Sequence, residues 1–343
     1  MKVIVLMGGY GTRMRPHSWS RPKPVMQVGH NTVLGHILDQ MAGLTTGEVI
    51  LVVGYLGEQI EAWAREHYGH LDLHFVYQHE PLGQAHALWL CRDRLDAGEV
   101  IVSLGDIIIE ADFAQIAPIA GSHADAVFQT MEIDDPRRYG CLTVNQEGMI
   151  DRIVEKPHSG DFRLALAGVY WFRDGRRLGQ TLDQSIENGR RTNNEYFLAD
   201  AFQLMLERGD RIGVQPIRSI VDVGSPANRL AANRVILERH PDRGPGTSLQ
   251  LNHVTVVPPV YIHPAAAVEC STIGPFATIG AGARIRQSVI AGSIIDPGAT
   301  VEGSVLRDSI IGANAVVTGQ TQTLILGDDS IVGVHPLTGG AGR

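Results

Sequence analysis

Three short runs in the first third of the chain are almost continuously apolar: Val3-Ile-Val-Leu-Met7, Val49-Ile-Leu-Val-Val53 and Val100-Ile-Val-Ser-Leu104. Runs of that length without alternation are the pattern of parallel strands buried on both faces. Between them, residues 33–41, 57–68 and 83–94 carry apolar positions at helical spacing. Strand–helix–strand alternation predicts a mostly parallel sheet covered by helices on both faces. Further strands are expected over residues 73–77, 126–131, 140–144, 149–154 and 164–172, and helices over 195–208 and 226–239.

A different period takes over downstream. Aliphatic residues stand at Ile262, Val268, Ile273, Ile279, Ile285, Ile290, Ile295, Val301, Leu306, Ile311 and Val317, in steps of six or five, with Gly, Ala, Ser and Thr between them. This is the hexapeptide pattern of a parallel β-helix, one inward aliphatic per flat face and small residues at the corners. No helical period gives those steps, and Pro275 and Pro297 would break a helix. The repeat provides for about four coils. The Pro- and Gly-rich stretch His240-Pro-Asp-Arg-Gly-Pro-Gly-Thr-Ser248 is the linker candidate. The expected organisation is therefore an α/β domain over residues 1–240, a linker at 241–250, the β-helix at 251–335 and a tail at 336–343.

Composition narrows the function. The 343 residues are 44% hydrophobic with a formal net charge of −8, and the basic residues are scattered. That argues against nucleic acid or a membrane surface, where clustered cations supply the affinity. The three cysteines (Cys91, Cys141, Cys270) are too few and too widely spaced for a disulfide framework or a zinc site. The apolar start is too short for a signal peptide or a span, so a cytoplasmic location is expected.

The chemistry gathers after the first strand, in Gly8-Gly-Tyr-Gly-Thr-Arg13-Met-Arg-Pro16 followed by Arg21-Pro-Lys23-Pro24. Glycines let backbone N–H groups approach a phosphate, and Arg13 and Lys23 add fixed positive charge. Neither a P-loop nor a dinucleotide fingerprint is present. The whole string resembles the signature of the sugar-1-phosphate nucleotidylyltransferases. Pro81-Leu-Gly-Gln-Ala-His-Ala87, Leu104-Gly-Asp106, Arg138-Tyr-Gly140 with Val154-Glu-Lys-Pro157, Leu166-Ala-Gly-Val169 and Val221-Asp-Val-Gly224 follow in that family's order. The hexad region, with Asp308-Ser-Ile-Ile-Gly312 and Leu326-Gly-Asp328, is similar to the C-terminal domain of the longer glucose-1-phosphate thymidylyltransferases.

The resemblance implies a Rossmann-like, mixed and mostly parallel sheet followed by a left-handed parallel β-helix. It implies a reaction in which a sugar-phosphate oxygen attacks the α-phosphorus of a nucleoside triphosphate and pyrophosphate leaves. The nucleophile is already anionic, so positioning and charge neutralisation are what the protein must supply. Arg13, Lys23, Asp106, Lys156 and Asp222 are the implied catalytic residues, with Asp106 and Asp222 holding Mg²⁺. Leu6, Gly8, Gly9, Gly11, Thr12, Arg13, Gln78, Pro81 and Gly83 are implied for the nucleotide. Tyr139, Gly140, Glu155, Lys156, Gly168 and Val169 are implied for the sugar phosphate. Gln78 offers a donor and an acceptor that complement N3–H and a neighbouring carbonyl of thymine or uracil.

Two departures leave base and sugar open. Arg21-Pro-Lys23-Pro24 looks closer to mannose-1-phosphate guanylyltransferases, and Asn193 stands where thymidylyltransferases place an arginine, with Arg190 and Arg191 nearby. The leading expectation is dTTP with glucose 1-phosphate; guanylyl transfer to mannose 1-phosphate and uridylyl transfer to glucose 1-phosphate are the alternatives. Two other classes compete. Acyl transfer by the hexad domain would use His253 or His263 as base, and a non-catalytic nucleotide-sugar sensor would lack a metal or phosphate ligand. His79, His86, His253 and His263 show no ligand spacing and are expected to be surface or structural. The exposed edges of a β-helix favour a homo-oligomer.

Overall fold

The computed structural model describes residues 1–41, 44, 47–109, 116, 119, 121, 123–158, 162–189, 191–192, 194–217, 219–244 and 253–333. Residues 245–250 of the expected linker, 251–252 and 334–335 at the ends of the expected β-helix, the tail 336–343, Asn193 and Arg190 lie outside them. The chain forms two compact units, one of Met1–Tyr10 with His36–Ile220, the other of Gly11–Gly35 with Val221–Arg343.

In the first unit nine strands make one mixed sheet: β1 (Lys2–Met7), β2 (Val49–Val53), β3 (Leu73–Tyr77), β4 (Val100–Leu104), β5 (Ala126–Glu132), β6 (Gly140–Val144), β7 (Ile150–Glu155), β8 (Leu164–Phe172) and β9 (Ile212–Pro216). Their order is β7-β6-β8-β4-β1-β2-β3, with β5 on β8 and β9 on β5. The three apolar runs form the parallel strands β4-β1-β2, and β3 adds a fourth parallel strand at the edge. Val3, Ile4, Val5, Ile50, Leu51 and Val52 have no exposed surface, which is why those strands show no alternation. Beyond β4 the pairing turns antiparallel through β8. Phe128, Tyr170, Phe172 and Phe202 pack there, with Phe128 and Phe202 ring centroids 4.4 Å apart.

The helix Gly175–Glu187 is not among the expected elements, although Leu178, Thr181, Leu182 and Ser185 recur at helical spacing as its buried stripe. Asp174 caps it by accepting the Arg176 N–H. Two helices are shorter than expected. Residues 83–94 split into the helix Gln84–Trp89 and a 3₁₀ turn at Arg92–Arg94. The helix expected from residue 195 begins at Leu198, because Phe197 is extended and Tyr196 is tied elsewhere: its N–H donates to Leu82 O and its carbonyl accepts from Ala85 N, at 2.8 and 2.9 Å.

The second unit holds the repeat. Three parallel sheets of five strands each stack coil upon coil, a left-handed parallel β-helix. All eleven aliphatics of the hexad pattern are buried in its core. Among the described residues the coils number five rather than about four. The extra turn is hidden because end coils carry polar residues at inward register: Gln322 lies in line with Ile273, Ile290 and Leu306. Two serine ladders run along corners. Ser271 Oγ accepts from Ser288 N, Ser288 Oγ from Ser304 N, and Ser304 Oγ from Gln320 N; Ser293 and Ser309 repeat the arrangement. Each hydroxyl also donates to the carbonyl two residues earlier, so a buried hydroxyl leaves nothing unpaired.

Also in this unit, Gly11–Gly35 and the helix Pro226–Arg239 are fastened to the β-helix. Ser225 caps that helix by accepting from Asn228 N, with Pro226 in its first turn. Arg229, 1% exposed, sends two bonds to Asp296 and two to Gln27 O. Asn233 Oδ1 accepts from Gly29 N at 2.8 Å and from Thr278 Oγ at 2.6 Å. Among the described residues no helix is long and apolar enough to cross a membrane. Cys91 and Cys141 are buried free thiols and Cys270 is an exposed one.

Candidate functional site

The first unit carries most of the expected site residues on strand ends. Leu6, Gly8 and Gly9 terminate β1, and Gly105 and Asp106 terminate β4 beside it, with Gly105 N donating to Leu6 O at 2.9 Å. That is the carboxyl edge at which open α/β sheets bind ligands. A register shift in β8 between Leu166 and Tyr170 holds Gly168 at φ 88°. A Cβ there would lie 2.2 Å from Ile107 Cδ1, so the chain can pass the β4 end only as glycine.

Gln78 follows β3 and is 6% exposed. Its Nε2 donates to Gly83 O at 3.0 Å and meets His86 Nδ1 at 3.1 Å. Both amide hydrogens are thus engaged, and the reverse amide orientation would set Oε1 against the Gly83 carbonyl. His86 must accept at Nδ1, so its proton sits on Nε2. Burial, above all, keeps this imidazole below its ordinary pKa and so in the neutral form that can accept. Gln78 is left with Oε1 alone as a free group. A Cβ at Gly8 would stand 2.3 Å from that oxygen, so only glycine leaves it open. Gly83, at φ 104°, lies against the Tyr196 backbone and could carry no side chain either. The sequence pattern missed His86, which reads as an ordinary helical histidine.

The register of β6 and β7 joins two distant motifs: Gly140 is opposite Glu155, and Lys156 N donates to Tyr139 O at 2.9 Å. Lys156 adopts a left-handed φ of 44°, rare for a residue with a side chain. Its ammonium lies 3.5 Å from Glu155 Oε1 and 4.3 Å above the Phe197 ring. Burial pushes the Glu155 carboxyl above its ordinary 4.5, against the pull of Lys156. Both residues line a cavity of about 670 Å³ together with Arg137, Arg152 and Thr192. These three additional groups were not singled out by sequence; nothing in their local spacing marks them. Arg191 lies over the Tyr196 ring at 4.6 Å.

The second unit carries the rest. Gly11, at φ 61°, leads into a 3₁₀ turn Thr12–Met14 that buries Met14 and exposes Thr12 and Arg13. Lys23 opens another 3₁₀ turn after Pro22 and is half-buried. Asp222 Oδ1 accepts from Gly224 N at 2.6 Å and Oδ2 from Asn228 Nδ2 at 2.7 Å. Each oxygen keeps a second lone pair, and the two bonds fix the carboxylate. Arg13 belongs to the same cluster: a Cβ at Gly224 would lie 2.8 Å from Asp222 Oδ1 and 3.1 Å from Arg13 Nη2. In the β-helix, His263 Nδ1 accepts from Ala265 N at 3.0 Å and so caps a turn, which leaves it poorly suited to act as an acyl-transfer base.

The family model described as nucleotidyl transferase matches residues 2–239. A UTP–glucose-1-phosphate uridylyltransferase of Haloferax volcanii is 30% identical over 244 residues, 69% of this chain and 97% of that protein. A glucose-1-phosphate thymidylyltransferase of Streptomyces antibioticus is 30% identical over 294 residues, 84% of this chain and 81% of that protein. A mannose-1-phosphate guanylyltransferase catalytic subunit beta of Drosophila pseudoobscura pseudoobscura is 28% identical over 289 residues, covering 83% and 72%.

Proposed function

The chain belongs to the nucleotidyl transferase family and is a sugar-1-phosphate nucleotidyltransferase; from that premise we propose that it makes dTDP-glucose from dTTP and glucose 1-phosphate. An oxygen of the sugar phosphate attacks the α-phosphorus, the bond from that phosphorus to the bridging oxygen breaks, and pyrophosphate leaves. Arg13 and Lys23 balance the charge of the polyphosphate. Lys156 holds the sugar phosphate, and Glu155 accepts sugar hydroxyls in the cavity beside it. Asp106 and Asp222 are each proposed as ligands of Mg²⁺, a hard cation suited to carboxylate oxygen, and the free lone pairs on Asp222 fit that role. When bound, Mg²⁺ would neutralise charge building on the phosphate oxygens. A homo-oligomer joined through β-helix edges, working in the cytoplasm, completes the proposal.

The observation behind the choice of base is the engaged Gln78 amide, which favours a base with a ring N–H over adenine or cytosine. A lone acceptor beside Gly8 matches the N3–H of thymine or uracil. The same acceptor also meets N1–H of guanine, so guanylyl transfer to mannose 1-phosphate stands as the second reading. Pyrophosphate release is to be measured for five nucleoside triphosphates against glucose, mannose, galactose and N-acetylglucosamine 1-phosphates. The expected maximum is dTTP with glucose 1-phosphate. Preference for GTP with mannose 1-phosphate would overturn the base and sugar assignments.

The raised Glu155 pKa gives a pH signature. The ionised carboxylate is the form that accepts hydroxyls, so kcat/KM for the sugar phosphate should fall as pH drops through a value above 4.5. Glu155→Gln should lower kcat/KM and flatten that acid limb. An identical limb in the variant removes Glu155 from sugar binding.

A further inference from the structure

Among the described residues of the second unit, His17 is a buried side chain whose ring nitrogens both lack a partner. Its ring is 1% exposed, and neither Nδ1 nor Nε2 has a hydrogen-bond partner among the described residues. A neutral imidazole has one donor and one acceptor, and burying both unmet is strongly unfavourable. The residue opens the 3₁₀ turn His17–Trp19, just past the loop that carries Arg13. One ring nitrogen, one oxygen of Asp296 and one oxygen of Asp328 all lie within 4.8 Å of one another. Positions 17, 296 and 328 are thus brought to a single point inside one unit.

Both carboxylates are held from outside. Asp296, 4% exposed, receives Arg229 Nη1 at 3.0 Å and Nη2 at 2.5 Å. Asp328 Oδ1 accepts from Ala313 N at 2.9 Å and Oδ2 from Ser20 Oγ at 2.6 Å. Every one of these oxygens keeps a lone pair, and such outer bonds are what orient metal ligands. Charge points the same way. Arg229 offsets one carboxylate, whereas Asp328 accepts from neutral donors among the described residues. A bridging water would satisfy the nitrogens and leave the charge.

We infer that His17, Asp296 and Asp328 form a structural site for a divalent transition cation, with Zn²⁺ the best match. One imidazole nitrogen with two carboxylate oxygens suits Zn²⁺ or Co²⁺, whereas Mg²⁺ prefers oxygen alone. The ion ties the loop of Arg13 and Lys23 to the last coils of the β-helix and shares no residue with the Asp106 and Asp222 carboxylates.

The test uses the full chain, stripped with a chelator, exchanged into excess Mg²⁺, titrated with Zn²⁺ and desalted. One Zn²⁺ per chain should stay bound, and the melting temperature should rise by about 5 °C over the stripped protein. His17→Gln and Asp328→Asn should each lose the bound Zn²⁺ and the rise, while Asp106→Asn keeps both. Co²⁺ in place of Zn²⁺ should give visible absorption that His17→Gln lacks. Wild-type protein that holds no Zn²⁺ after desalting, with an unchanged melting temperature, overturns the site and leaves the ring to a water molecule. Equal retention by wild type and His17→Gln overturns it as well.

Discussion

Asp222→Asn is expected to lower turnover by roughly 10²–10³-fold, the equivalent of losing a few kcal/mol of charge stabilisation at the phosphates. The fold should survive. Asp222 bonds Gly224 N and Asn228 Nδ2; an asparagine keeps an acceptor for the backbone donor, and the Asn228 amide can turn its oxygen to the new NH₂. Asp106→Asn should act similarly from its strand end. The measurement is pyrophosphate release at saturating substrates, beside a thermal melt to show that structure is intact. Wild-type turnover in either variant would remove that residue from the machinery.

The second large effect is on stability. Arg229→Ala should cost about 3–5 kcal/mol, because it leaves the Asp296 carboxylate buried without its partner and the Gln27 carbonyl without its donors. In a melt without added transition metal this is a loss on the order of 10 °C. Replacing both partners by apolar residues, Arg229→Met with Asp296→Leu, should recover the share due to the widowed charge and leave the cost of the Gln27 carbonyl without its donors. A single variant that melts within about 2 °C of wild type would show that the pair contributes little.

What the sequence disclosed followed from local periodicity. The helices Val33–Met41, Gly57–Tyr68 and Pro226–Arg239, and the strands β3, β6 and β8, lie where their patterns place them. The inward hexad positions are legible because each flat face has room for one aliphatic. Long-range geometry was not legible. Nothing near Arg229 distinguishes it from a surface arginine on a polar helix; its burial depends on Asp296, sixty-seven residues away. Gln78 reads as offering a donor and an acceptor, and only the positions of Gly83 and His86 show that the donors are taken. His17 drew no attention for the same reason, its neighbours being hundreds of residues downstream.

That separation has a consequence for how the protein is made. Ser20 Oγ donates to Asp328, a bond spanning 308 residues. At a translation rate of about 5–20 residues per second, the two ends of that bond leave the ribosome roughly 15–60 s apart. The loop with Arg13 and Lys23 emerges long before Asp328 and must wait for that coil before its support exists. A chaperone that shields residues 11–35 through that interval should therefore raise the yield of active enzyme more than one that acts on the finished coils.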